Sequence, residues 1–264
     1  MKKVLTVAGS DSGGCAGIQA DIKTISACGA FAMSAITAVT SQNTLGVTFV
    51  EELTPKSVES QIDAVLSDIG ADAVKSGMLF SEKIINTVAT AFKKHNIKNY
   101  ILDPVMVASS GAKLLQDEAV SALKKQLIPI CAMITPNVPE AEVLSGIKIE
   151  NHQHIKDACK IIYDMGAGAV LIKGGHLKDE YSADTLFDGK EYSVFTSERI
   201  STKNTHGTGC TYSAAIASFM AEGYSMQQST QMAKNYITKA IQAGKNLKIG
   251  EGAGPVDHFY TLRG

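Results

Sequence analysis

The feature that most restricts what this chain can become is an alternation: short runs rich in Val, Ile and Ala recur between longer stretches with helical spacing. A β-prone run followed by an amphipathic stretch is the sequence form of a βαβ unit. Repeating that unit gives an α/β fold with a mainly parallel sheet. Strands are expected over 4–8, 32–39, 73–76, 100–103, 132–134 and 169–173, and helices around 17–27, 55–69, 82–94, 116–126, 139–144 and 152–164. In the second helix Val58, Ile62, Val65, Leu66 and Ile69 recur at steps of mostly three and four, a stripe that faces a sheet and carries no chemistry. Asp188-Gly189 between two β-prone runs within 184–195 predicts a hairpin. Two helices close the chain, one from Thr208 to before Gly223 and one from Met226 to about residue 245.

No Pro/Gly/Ser-rich linker, charge block or repeat interrupts the 264 residues, so a single domain is expected. Lys and Arg number 25 against 26 Asp and Glu, which leaves no broad field for nucleic acid or an acidic membrane. A small phosphate needs only a local site. The apolar run after the two N-terminal lysines breaks at Gly9, and no stretch approaches about 18 consecutive apolar residues, so neither a signal peptide nor a spanning helix is expected. Five cysteines, an odd number without a CxxC pair, suit reduced thiols and a cytoplasmic location.

The strongest local signal is NTHGTGCTYSAA at 204–215, a glycine-rich turn that runs into a helix of small residues. Gly207 and Gly209 permit close backbone approach, and the unpaired N–H groups of a first helical turn carry partial positive charge, which suits an oxyanion. Glycines used for helix packing are the alternative. Cys210 falls in that first turn, where the dipole favours a thiolate, so it can act as a base towards a substrate hydroxyl or only orient it. A second glycine-rich segment, AGSDSGGCAGIQAD at 8–21, follows the first strand, the usual place of a ligand loop. Its Asp21 either accepts a hydrogen bond from a ligand or complements the helix dipole.

Asp103 ends a strand before Pro104, at the carboxyl edge of the sheet where ligands of open α/β folds collect. Asn137 and Glu140 stand three residues apart at a helix start; they form a capping box, an oxygen pair for hydrated Mg²⁺, or both. Lys173 ends a strand beside Gly174 and Gly175, where it neutralises phosphate charge or is a solvated surface lysine. Neither GxxxxGK[ST] nor GxGxxG after a strand occurs, and no HExxH, GxSxG or catalytic CxxC supports hydrolysis or redox chemistry. Polar groups gathered at strand ends suit phosphoryl transfer, which depends on positioning and charge neutralisation.

Taken in order, AGSDSGGCAGIQADIKT, TSQNT, VKSGML, DPVMV, TPNVPEAE, VLIKGGH and NTHGTGCT resemble the ribokinase-like superfamily, and within it the hydroxymethylpyrimidine/phosphomethylpyrimidine kinases of thiamine biosynthesis. The match runs from about Lys2 to Leu262. The resemblance implies a mainly parallel central sheet flanked by helices on both faces. It also implies ATP with Mg²⁺ and phosphorylation of 4-amino-5-hydroxymethyl-2-methylpyrimidine and then of its monophosphate. It assigns Cys210 to the substrate hydroxymethyl group and Gly207, Thr208 and Gly209 to an anion hole. Asn137 and Glu140 go to Mg²⁺ and phosphate, and Asp103, Lys173 and Thr205 to the nucleotide. Gln42, with Asp21, Met78, Val105 and the Gly9 backbone, makes the pyrimidine pocket. The Gln42 amide offers a donor and an acceptor, which matches an aminopyrimidine edge. A homodimer is also implied. Cys15 and Ser76 depart from the residues common in the family. A vitamin B6 kinase and a silent ligand-binding relative are the alternatives; Gln42 argues against the first as main role.

Overall fold

The computed structural model describes residues 1–106, 117–174 and 181–262. Among them nine strands form one sheet: β1 (Lys3–Asp11), β2 (Phe31–Gln42), β3 (Val47–Glu52), β4 (Ala73–Ser76), β5 (Tyr100–Leu102), β6 (Met133–Ile134), β7 (Val170–Ile172), β8 (Tyr181–Phe187) and β9 (Tyr192–Glu198). Their order across the sheet is β3-β2-β1-β4-β5-β6-β7-β8-β9. The six strands from β2 to β7 pair in parallel, while β3 and the β8–β9 hairpin pair antiparallel at the two edges.

The helices are α1 (Gly17–Ala27), α2 (Pro55–Asp68), α3 (Glu82–Lys94), α4 (Asp117–Ala122, widening into a π turn over Leu123–Leu127), α5 (Val138–Ser145), α6 (His152–Tyr163), α7 (Thr208–Ala221) and α8 (Met226–Gly244). One apolar cluster joins the sheet to α2, α3, α4, α5 and α6, and a second joins its other face to α1, α7 and α8. The expected elements are therefore found, and the apolar stripe of α2 packs through Val58 and Ile62, both fully buried. Residue 116, the expected start of α4, lies outside the described residues.

β3 was not anticipated. It is short, half-exposed and ends in Glu51-Glu52, so it lacks the buried run that marks the inner strands. The hairpin turn is closed by Asp188, whose Oδ1 accepts from the N–H groups of Lys190 and Glu191 at 2.9 Å each. Every parallel strand points its carboxyl end to the same edge, and that edge is where the chemistry-bearing residues meet.

Candidate active site

β1 ends in Asp11, and the glycine-rich loop folds around that carboxylate. Oδ1 accepts from Gly13 N at 2.8 Å, and Oδ2 accepts from Cys15 N at 2.9 Å and Ala16 N at 2.8 Å. Three N–H donors on one buried carboxylate pin the loop. It then touches the turn before α7. Gly207 takes φ +80°, and a Cβ there would sit 1.8 Å from the Cys15 carbonyl oxygen, so only glycine lets the two loops meet.

At the start of α7 the N–H groups divide their work. Thr208 spends its N–H on Thr205 O at 3.2 Å and its hydroxyl on the same oxygen at 2.6 Å, closing the turn. The N–H groups of Gly209 and Cys210 meet no acceptor among the described residues, and both residues line a cleft. Of the expected Gly207–Gly209 set, Thr208 N–H is therefore engaged, and the N–H groups of Gly209 and Cys210 are left open in the first turn of the helix.

Two clefts lie along this edge. The smaller, of about 160 Å³, is walled by Gly9, Thr40, Gln42, Met78, Val105, His206 and Cys210, among others. The larger, of about 680 Å³, runs between α5, α8 and the β8–β9 hairpin, with Val143, Ile237 and Ile241 on its apolar side and the buried Lys234–Asp184 pair (2.8 Å) on its polar side. Asn137, Glu140, Lys173, Thr205, Thr208 and Gly209 line both, so the clefts meet at the α7 N-terminus. Cys210 lines the smaller cleft and not the larger.

Charge is arranged around that junction. Lys173 Nζ lies 2.7 Å from Asp103 Oδ1, and Asp103 also accepts from Thr135 Oγ1 at 3.3 Å and Ser213 Oγ at 3.1 Å. Burial opposes ionisation of Asp103, but Lys173, Lys75 and these hydrogen bonds outweigh it and hold the carboxyl below its ordinary range. Asn137 and Glu140 form the capping box: each backbone N–H donates to the other's side chain at 2.9 Å. Burial pushes Glu140 up to about 7, against the pull of Lys173. A buried carboxyl so raised is one that an added cation would return to its charged form. The pair therefore fits hydrated Mg²⁺, and it does so while remaining a cap.

Two expectations need correction. Asp21 does not line either cleft; it is fully buried, with both oxygens 2.9 Å from Lys75 Nζ and Oδ2 accepting from Thr6 Oγ1 at 2.6 Å. Its neighbour Lys75, overlooked in the sequence, is also fully buried. Burial disfavours its charge, but Asp21 with Cys210 and Asp103 more than compensates and the ammonium is held. Cys210 is not a ready thiolate: burial pushes its thiol up to about 11, and Lys75 and the Gly17 N–H only moderate this. Of the two roles open to Lys173, the solvated surface lysine is not found: its side chain is 12% exposed and paired with Asp103.

Gln42, Gly9, Met78 and Val105 do line the smaller cleft, where Met78 and Val105 belong to an apolar patch with Ala38. Asp11, Thr40 and His206 line it too and were missed; only Asp11 had a signal, an aspartate at a strand end before Ser-Gly-Gly. The two departures stay out of the clefts: Cys15 is buried beneath its loop, and Ser76 Oγ is hydrogen-bonded to Tyr100 OH at 2.6 Å. Gly175 lies outside the described residues.

Residues 11–257 match the family model described as phosphomethylpyrimidine kinase. The hydroxymethylpyrimidine/phosphomethylpyrimidine kinase of Bacillus subtilis is 50% identical over 262 residues, covering 99% of this chain and 96% of that protein. The thiamine biosynthesis bifunctional protein ThiED of Geobacter sulfurreducens is 48% identical over 256 residues, 97% of this chain; the chain spans about half of that longer protein (52%). Among solved structures, the pyridoxal kinase from Staphylococcus aureus in complex with AMP-PCP and pyridoxal superimposes with a TM-score of 0.91 at 36% identity, over 100% of this chain and 95% of that one.

Proposed function

This chain belongs to the phosphomethylpyrimidine kinase family, and from that premise we propose that it transfers the γ-phosphoryl group of ATP to the hydroxyl of 4-amino-5-hydroxymethyl-2-methylpyrimidine and then to the monophosphate, within thiamine biosynthesis. The observation that carries this reading is the meeting of a small cleft bearing Cys210 and Gln42 with a larger one at a single bare helix N-terminus. Direct transfer needs that arrangement: acceptor on one side, nucleotide on the other, and the migrating group between them.

The acceptor alcohol lies in the smaller cleft with its ring against Met78 and Val105 and its polar edge at Gln42. ATP occupies the larger cleft. The N–H groups of Gly209 and Cys210 hold the phosphoryl oxygens as charge builds, and Lys173 neutralises the same group. Phosphoryl transfer forms little bond to the nucleophile before the transition state, so the hydroxyl proton need not leave early. A thiol raised to about 11 suits the lesser of the two roles open to it: Cys210 orients the hydroxyl and does not act as a preformed base. Mg²⁺, when bound, neutralises phosphate charge, and Glu140 and Asn137 are the residues that would hold it, through water.

Pyridoxal phosphorylation as a side activity is favoured by the likeness to a kinase solved with pyridoxal, since both acceptors are small aromatic rings bearing a hydroxymethyl group. The proposal includes one domain, supported by the single sheet, and a cytoplasmic location, supported by five free thiols. No described helix is long and apolar enough to cross a membrane. It also includes a homodimer, supported by Val39, Leu45 and Phe49, which are exposed around the edge strand β3.

The deciding experiment is steady-state phosphorylation with ATP and Mg²⁺, comparing the aminopyrimidine alcohol, its monophosphate and pyridoxal. The two pyrimidines are expected to have the higher kcat/KM. A preference for pyridoxal would overturn the assignment.

A further inference from the structure

We propose that His206 is a positioning residue for acceptor recognition: it locks the Gln42 amide in one orientation, so that the pocket shows the ring a defined donor beside a defined acceptor. The inference rests on reading the smaller cleft as the acceptor pocket.

A glutamine amide is nearly symmetric in shape, and a half-turn exchanges its N–H₂ for its C=O. An unlocked amide therefore offers two opposite patterns and discriminates poorly between rings. Gln42 stands at the end of β2, at a shift in the β2–β3 register, with its side chain along the cleft wall. Its Nε2 lies 3.0 Å from His206 Nε2. An amide nitrogen can only donate, so His206 Nε2 accepts, and the imidazole is neutral with its hydrogen on Nδ1. Thr40 Oγ1 is 3.2 Å from Gln42 Oε1, but it is closer to Ser10 O, at 2.9 Å, and has one hydrogen to give. His206 is therefore the contact that decides the orientation. One amide N–H and the carbonyl oxygen remain for the ligand.

His206 is itself held. Its N–H donates to Gly254 O at 3.1 Å, and the ring is buried, which keeps its proton affinity below the ordinary imidazole range and preserves the acceptor. Asp11 at the end of β1 and Cys15 in the loop after it face the ring, with ligating atoms within 4.8 Å. The Asp11 carboxylate, which favours the protonated ring, is already shared among three backbone N–H groups. The segments that wall the other side, 42–46 and 252–253, bring no titratable side chain.

An aminopyrimidine edge pairs a ring nitrogen acceptor with an exocyclic amine donor, which matches what the locked amide leaves free. The pyridoxal ring has no such amine, so freeing the amide should cost the pyrimidine more.

The test measures KM and kcat for the aminopyrimidine alcohol and for pyridoxal in His206→Leu and His206→Gln, each made in the wild type and in Gln42→Leu. His206→Leu should raise KM for the pyrimidine about tenfold, the equivalent of one hydrogen bond, with kcat nearly unchanged and a smaller effect on pyridoxal. His206→Gln, which supplies an acceptor in place of Nε2, should recover most of that loss. In the Gln42→Leu background neither change should raise KM further. Multiplying effects in that background, a loss confined to kcat, or failure of His206→Gln in a protein that unfolds at the wild-type temperature would each overturn the proposal. Wild-type protein that does not phosphorylate the pyrimidine would instead overturn the reading of the cleft on which it rests.

Discussion

Lys173 and Asp103 are joined at 2.7 Å across the end of β6, with the lysine just beyond β7 and the aspartate just beyond β5. The pair places a cation at the junction of the two clefts without leaving its charge unbalanced before nucleotide arrives. It also ties a functional group to the stability of the sheet edge.

Removing one partner should therefore damage two properties, and removing both only one. Lys173→Met strands a buried carboxylate and should cost roughly 3–5 kcal/mol in urea unfolding as well as turnover. Lys173→Met with Asp103→Asn should regain most of the stability but none of the turnover. If stability and turnover recover together, Lys173 serves the fold alone.

Burial pushes the Cys210 thiol up to about 11, which favours the protonated form through the physiological range. Its alkylation by iodoacetamide, followed on the peptide by mass spectrometry, should be slow at pH 7 and accelerate with pH beyond 9. Cys210→Ser should keep most turnover because a hydroxyl can also orient the alcohol. Cys210→Ala should lose on the order of 10²-fold, the scale of a reacting group left out of position. Full turnover in the alanine variant, with an unchanged pH profile, would remove the residue from the reaction.

Two glycines of the same cleft should behave oppositely. At Gly207 a Cβ meets the Cys15 backbone at 1.8 Å in a left-handed conformation, so Gly207→Ala should displace both loops and abolish turnover. At Gly9 a Cβ would lie 3.2 Å from Met78 Cε, the tip of a flexible side chain. Gly9→Ala should leave the melting temperature within a few degrees and raise the acceptor KM. Equal effects of the two would contradict the placement of the loops.

Burial raises the Glu140 carboxyl from its ordinary 4.5 to about 7. Between those values the native state holds more protons than the unfolded chain, so this group's contribution falls as pH rises from about 4.5 through 7. Glu140→Gln lacks the titration. The difference in unfolding free energy between wild type and variant should shift by up to about 3 kcal/mol between pH 4 and pH 8, with wild type losing ground at the higher pH. A constant difference across that range would show that Glu140 is not desolvated.

Much of this is legible in the sequence alone. The boundaries of α1 and α3 match the apolar periodicity residue for residue, because a helix is set by contacts three and four positions apart. Glycines at 207 and 209 and the cysteine after them announce a turn that exposes N–H groups. β3 escaped because an edge strand exposed on one face has no continuous apolar run, and His206 because a histidine beside a glycine turn has no distinctive local pattern.

What the sequence by itself determined was the α/β alternation, the order of the elements and the set of polar groups delivered to strand ends, all of which depend on neighbours close along the chain. Only the tertiary structure decided what those groups face. Asp21 turns away from the cleft to Lys75, 54 residues on, and Gln42 is met by His206, 164 residues on. Burial by segments distant in the chain raises the Cys210 thiol to about 11, although its place in a first helical turn favours the thiolate. Burial and charge pairing are properties of packed space, and no local spacing encodes them.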